Sequence, residues 1–166
     1  MAPPPRPPSD SVSVLTRWTG VGDANTAGSI HGGRIMSLCD EVAGIAAIRH
    51  SGCRVVTAGV DRMIFRHPVL VGDLVTVRAT VNAAWRTSME VGVRVEREQV
   101  RTREVEHTLT AYLTMVALDE ERRPMEVPPI EPETEEECRR RDEAELRRRN
   151  RLAEREEIVR GRGARA

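Results

Sequence analysis

Three groups able to act on a carbonyl lie close together in the stretch NTAGSIHGGRIMSLCD, from Asn25 to Asp40. Asp40 is a carboxylate placed where the neighbouring residues read as an apolar helix. Desolvating an ionised carboxylate costs several kcal/mol or more without a partner, so an acid at such a position is either paired or used in chemistry. His31-Gly32-Gly33 stands immediately before that helix. Backbone N–H groups at a helix start carry partial positive charge, and glycine lets a ligand come close to them. Such a turn can hold a carbonyl oxygen as it gains charge. Asn25 brings an amide that can donate to a carbonyl or orient a water. Each group also has a plain structural reading: an Asx turn for Asn25, a helix-start turn for the glycines, and a cap or ion pair for Asp40.

The elements that must position these groups follow from periodicity. Ser11–Trp18 has the β-branched content of a strand. Residues 19–29 are rich in Gly, Thr, Asp and Asn and read as a loop. From Gly33 to about Arg49, Ile35, Cys39, Val42 and Ala46 fall on one helical stripe, and His50-Ser51-Gly52 ends it. On that helix Asp40 neighbours Met36, Ala43, Gly44 and Ala47, whose mostly small side chains would leave a hollow beside the carboxylate. Cys39 lies on the apolar stripe and reads as a small core residue.

The remainder alternates with period two. Strands are expected over Val55–Phe65, Leu74–Ala84, Met89–Glu96 and Thr108–Leu118, with Arg78, Glu90, Arg94 and Glu96 on a solvated face. One helix is available for the other face. Trp85-Arg86-Thr87-Ser88 joins two of these strands, and an Arg with two hydroxyls can hold a phosphate. An ordinary polar turn is the alternative. A lone sheet of this kind leaves an unpaired edge, which pairing with a second copy would cover.

Composition sets outer limits. The chain has 166 residues and no net formal charge, with every basic residue an Arg, so it lacks the basic balance of a nucleic-acid or anionic-membrane binder. Four aromatic rings are too few for a base-stacking surface. Cys39, Cys53 and Cys138 form no CxxC pair, and His50, His67 and His107 show no metal-ligand spacing; no metal site is expected. An unpaired cysteine set and the lack of an apolar leader point to a cytoplasmic protein without membrane insertion. Three segments are expected: a disordered Pro-rich start at 1–10, one domain at 11–130, and a charged extension at 131–166. Eleven acids balance eleven Arg from Glu131 onward, which fits a solvated helix laced with ion pairs.

Five blocks in order carry a family resemblance: NTAGSIHGGRIMSLCDE from Asn25, VVTAGVDRMIF from Val55, HPVLVGD from His67, RTSMEV from Arg86 and TAYLTMVALD from Thr110. Together they resemble the hotdog-fold acyl-CoA thioesterases, over roughly Leu15–Pro129. The resemblance implies an α+β hotdog fold: a long helix wrapped by an antiparallel β-sheet, two copies pairing as a double hotdog, often as trimers of dimers.

The implied reaction is hydrolysis of an acyl-CoA thioester to a free acid and CoA, with no cofactor beyond the CoA of the substrate. Asn25 and the Gly32 N–H would come from one protomer and Asp40, as base or nucleophile, from the other. His31, Gly33, Thr57 and Asp61 would lie near the substrate, with CoA phosphates at Arg86, Thr87 and Ser88. The acyl chain would run past Ala43 and Ala47. A single hotdog needs an identical partner to complete its site. Two rival readings share the fold: a dehydratase or hydratase of acyl thioesters, and a non-catalytic acyl-CoA sensor. Gly-Gly-Arg after His31 departs from the dehydratase motif His-Phe-Pro-Gly, and a sensor would be expected to lose the acid that Asp40 retains.

Overall fold

The computed structural model describes residues 3–163. Five strands and two long helices follow in the order β1 (Ser13–Trp18), α1 (Gly32–Ser51), β2 (Arg54–Val60), β3 (Leu74–Ala84), β4 (Ser88–Glu98), β5 (Val105–Leu118) and α2 (Glu135–Gly163). The strands form one antiparallel sheet in the order β1-β3-β4-β5-β2. The sheet curls around α1, the hotdog arrangement that the resemblance implies.

Alternation in the strands decides which residues face α1. Val75, Val77, Ala79 and Val81 of β3, Met89, Val91, Val93 and Val95 of β4, and Leu109, Ala111, Leu113 and Met115 of β5 are all buried. They pack on Ile35, Leu38, Cys39, Val42, Ala43, Ala46 and Ala47 of α1. The small residues of the helix stripe let it sit close to the sheet. At its end Gly52 adopts φ 72°, a left-handed conformation that glycine takes without a Cβ penalty, and its N–H bonds Ile48 O at 2.8 Å.

Residues 3–10, part of the start expected to be disordered, pack against the domain instead. Arg6 Nη1 donates to His50 O at 2.8 Å and Arg49 O at 3.2 Å, satisfying carbonyls at the α1 C-terminus. Its backbone bonds Pro129 O and the Glu131 N–H, both at 2.9 Å. Pro8–Ser11 forms a short 3-10 turn in which Pro8 and Ser11 are buried. The prolines pre-set the extended and turn conformations that these contacts need.

Two other expectations change. The strand expected over Val55–Phe65 ends at Val60. A bulge between Thr57 and Gly59 twists β2, and beyond it only the Asp61 and Arg66 N–H groups reach β5, at Tyr112 O and Thr108 O. The face expected to be solvated is partly covered by α2. Glu90, read as solvent-facing, is fully buried there and receives Arg147 Nη2 at 2.7 Å and Asn82 Nδ2 at 3.3 Å. Arg147 also lies 3.6 Å over the Tyr112 ring, and Trp85 Nε1 donates to Glu145 at 2.7 Å. The charged extension is therefore docked through a buried ion pair that pattern alone does not reveal.

Candidate active site

The loop before α1 closes on itself. Asn25 Oδ1 accepts from the Ala27 N–H at 2.9 Å and the Ser29 N–H at 3.3 Å, and its Nδ2 donates to Ser29 Oγ at 3.0 Å. One Nδ2 hydrogen is thereby used and the amide orientation fixed. The second has no acceptor among the described residues. Ser29 was not singled out from the sequence; the only signal is its place four residues after Asn25, within reach of a loop side chain.

At the helix start the three residues His31, Gly32 and Gly33 divide their roles. His31 Nδ1 accepts the Gly33 N–H at 3.0 Å and caps the helix. A Cβ on Gly33 would come within 3.0 Å of that ring nitrogen, so glycine is what allows the His31 ring to fold back. The Gly33 donor is occupied. The Gly32 N–H has no acceptor among the described residues. Gly32 lines a cleft of about 320 Å³ together with Asn25, Ser29, Phe65 and His67. A Cβ on Gly32 would only touch the Phe65 ring, at 3.6 Å. Phe65 and His67 are thus members of the cleft that sequence patterning missed, because they follow β2 in an irregular segment.

Asp40 lies eight residues further along α1, about 12 Å in helical rise from Gly32. It is exposed, not enclosed by apolar neighbours as expected. The Thr57 hydroxyl, on β2, donates to Asp40 Oδ1. Ala43 and Ala47 are fully buried on the core side and line no hollow. The open surface beside Asp40 carries Met36, Gly44 and Ile48 on the same helix, with Val60 at the end of β2; Met36, Ile48 and Val60 are all close to half exposed, as is Val56 on the other face of β2. Cys39, next in sequence, points the other way. Burial, then the charge of Asp40, pushes its thiol up to about 12, so it is no nucleophile.

The remaining candidates separate. Asp61 Oδ2 accepts Arg151 Nη1 of α2 at 2.7 Å and faces the α2 side. Arg86, Thr87 and Ser88 form the β3–β4 turn, closed by the Trp85 N–H on Ser88 O at 2.8 Å, with Arg86 exposed. The turn stands next to Met89, which shares a row across the sheet with Met115 and Thr57. Two strand spacings, about 10 Å, separate that row's ends. Within one chain, Asn25 and Gly32 therefore form one group, Asp40 and Thr57 a second, with the Arg86 turn near the second. Among the described residues there is no cluster of three or more His, Cys, Asp or Glu able to hold a metal, and no helix long and apolar enough to cross a membrane.

The model of the thioesterase superfamily matches residues 27–104. A crystal structure of an apo-hexameric acyl-CoA thioesterase superposes with a TM-score of 0.88 at 38% identity, covering 92% of this chain and 97% of its own. This chain belongs to the hotdog-fold acyl-CoA thioesterase family. The acyl-CoA hydrolase of Staphylococcus aureus, solved with butyryl-CoA and CoA, is another family member, at TM-score 0.87 and 35% identity over 95% of this chain and 96% of its own. Three single alanine variants of that hydrolase have been solved, at an asparagine, an aspartate and a threonine spaced fifteen and seventeen residues apart. Each is 34% identical and covers 95% of this chain and 94% to 97% of its own, with TM-scores of 0.86 to 0.88. Protein VdlD of Helicobacter pylori is 42% identical over 117 residues, which are 70% of this chain and 67% of that protein.

Proposed function

We propose that this family member hydrolyses acyl-CoA thioesters to a free carboxylic acid and CoA, in a site completed by two copies of the chain. The observation that carries the reading is the division of donors on α1. Gly32 keeps the free N–H of the first turn, while Asp40, the carboxylate, lies about 12 Å away on the same helix. No single carbonyl reaches both. Antiparallel pairing of two β2 edges brings Gly32 and Asn25 of one chain towards Asp40 of the other. It also covers Val56, Val60 and Met36. The intervals separating Asn25, Asp40 and Thr57 are those separating the three residues varied in the S. aureus hydrolase, which supports assigning these three to the site.

In this mechanism the thioester oxygen accepts the Gly32 N–H and the remaining Asn25 Nδ2 hydrogen, so charge developing on it meets donors fixed in advance. Thr57 occupies Asp40 Oδ1 and leaves Oδ2 to take a proton from water. Water adds to the carbonyl carbon, and the tetrahedral intermediate expels CoA as a thiolate, a good leaving group that needs no acid. Direct attack by Oδ2 would give an anhydride instead. A single turnover in ¹⁸O-water separates the two, since hydrolysis of the anhydride at its Asp40 carbonyl leaves label in the Asp40 side chain. CoA phosphates are assigned to Arg86, Thr87 and Ser88, and the acyl chain to the surface of Met36, Gly44 and Ile48. Three such dimers would give the hexamer named for its relative.

The test is thiol release from acetyl-, hexanoyl- and palmitoyl-CoA, with wild type beside Asp40→Asn. Wild-type turnover, with a loss of about 10²- to 10⁴-fold in the variant at unchanged oligomer size, supports the hydrolase. Binding without turnover on any chain length sinks it in favour of an acyl-CoA sensor.

A further inference from the structure

The helix α2 crosses the outer face of the sheet from one edge to the other. Its first turns share a groove with Val12 and Val14 at the β1 side. Arg147 then meets Glu90 of β4 and Tyr112 of β5, and Arg151 meets Asp61 at the end of β2. From Glu136 to Arg151 the helix rises about 22 Å. Five strands have four spacings between them, about 19 Å. The helix thus runs nearly across the strands and has used up its own sheet by Arg151.

Residues 152–163 continue for about 18 Å beyond the β2 edge. Among the described residues, every ion pair of α2 lies at or before Arg151. Past that point Leu152, Ile158 and Val159 are 48%, 48% and 60% exposed. A free helical segment of this length is marginal in water, and this one lacks the side-chain pairs that support the first half.

We infer that the overhanging end of α2 docks on the α2 helix of a second copy, as a strap across the paired β2 edges. The inference rests on the edge pairing proposed above. A two-fold axis beside β2 places two antiparallel α2 helices side by side, crossing near Leu152. In that register the stretch Arg147–Arg151 lies along Glu154–Glu157 of the second copy, with three Glu; Arg147 and Arg151 are held by Glu90 and Asp61 and Arg148 lies 4.3 Å over the Trp85 ring, which leaves exposed Arg149 as the nearest free cation among the described residues. Leu152 and Val159 come under cover in the same contact. Opposite net charge on the short segments either side of Leu152 is what a self-complementary antiparallel contact at that point requires.

The experiment uses two full-length variants. One reverses acids (Glu154→Arg, Glu156→Arg, Glu157→Arg). The other makes two exposed positions without cis ion pairs acidic (Arg149→Glu, Asn150→Glu). Subunit exchange is followed by native mass spectrometry at low salt, with circular dichroism to check folding. Each variant alone should exchange at least tenfold faster than wild type. A mixture of the two should form mixed dimers in preference to either self-dimer, because reversed charges then face each other correctly. Exchange at the wild-type rate for both, with random mixing, overturns the strap and leaves the edge pairing standing. A wild type that is monomeric at micromolar concentration overturns both readings.

Discussion

The Thr57 hydroxyl donates to Asp40 Oδ1 across the gap between β2 and α1. The contact joins the candidate base to the strand whose outer edge is open, so the carboxylate is oriented by the element proposed to receive the second copy. Thr57 Oγ1 also lies 3.4 Å from Met115 Sδ, which limits its rotation. Thr57→Val should lower kcat about tenfold with little change in KM, the worth of one hydrogen bond to a charged group. Thr57→Ser should retain most activity. Loss in Thr57→Ser with none in Thr57→Val would show that the methyl packing matters and the hydroxyl does not.

Subunit mixing tests the shared site directly. Asn25→Ala and Asp40→Asn should each be nearly inactive alone. After exchange, mixed dimers hold one site with both residues intact and one with neither, so about a quarter of all sites should recover. No recovery, with mixed dimers confirmed by mass, would place both residues in a site within one chain.

His50 gives the fold a defined pH dependence. The ring is buried at the end of α1, with Nε2 bonded to Pro128 O at 2.9 Å and Nδ1 without a partner among the described residues. Burial foremost, with the charge of Arg6, holds its pKa below 6.5, outweighing the Pro128 carbonyl and Asp10, which act in the opposite direction. The unfolded chain then takes up a proton at a pH where the folded chain does not. Stability from this group is intact above pH 6.5 and is lost as pH falls through the lower, folded value. Urea midpoints measured from pH 8 to pH 5 should show this fall in wild type and less of it in His50→Gln. Identical slopes would remove His50 from the account.

The buried pair beneath α2 is expected to be costly to break from one side. Arg147→Ala leaves Glu90 fully buried with only Asn82 and the more distant Arg151 to answer its charge. The loss should be about 3 kcal/mol by chemical denaturation. Replacing both, with Glu90→Gln and Arg147→Met, should cost clearly less. If the double variant is as unstable as the single, the Arg147 guanidinium over the Tyr112 ring is the larger contribution.

Local patterning made much of this molecule readable. The α1 stripe, its stop at Gly52 and the alternation in β3, β4 and β5 follow from residue period, and each element formed close to its expected place. What escaped depends on contacts across long sequence distances. Glu90 and Arg147 are 57 positions apart, and Asp61 and Arg151 are 90, so nothing in either neighbourhood marks the pair. The same blindness left Arg6 unassigned, although it closes the carbonyl end of α1. At the site, residue pattern alone could single out His31, Gly32 and Gly33 together but not rank them; the choice of the Gly32 N–H comes from the family resemblance. Only the ring of His31, folded onto the Gly33 N–H, separates the occupied donor from the free one.

The strand order has a consequence for how the chain is made. The one strand that pairs with β2 is β5, whose last residue, Leu118, follows Val60 by 58 positions. At ordinary synthesis rates, about 5 to 20 residues per second, β2 waits roughly 3 to 12 s before its partner is complete. Through that interval α1 has no finished sheet to enter, and its apolar stripe stays uncovered on the ribosome. Contacts this distant in sequence also make for slow closure once the chain is released. The nascent polypeptide therefore exposes this stripe for longer than the modest size of the finished domain suggests, and its yield should fall where synthesis is slowed between β2 and β5.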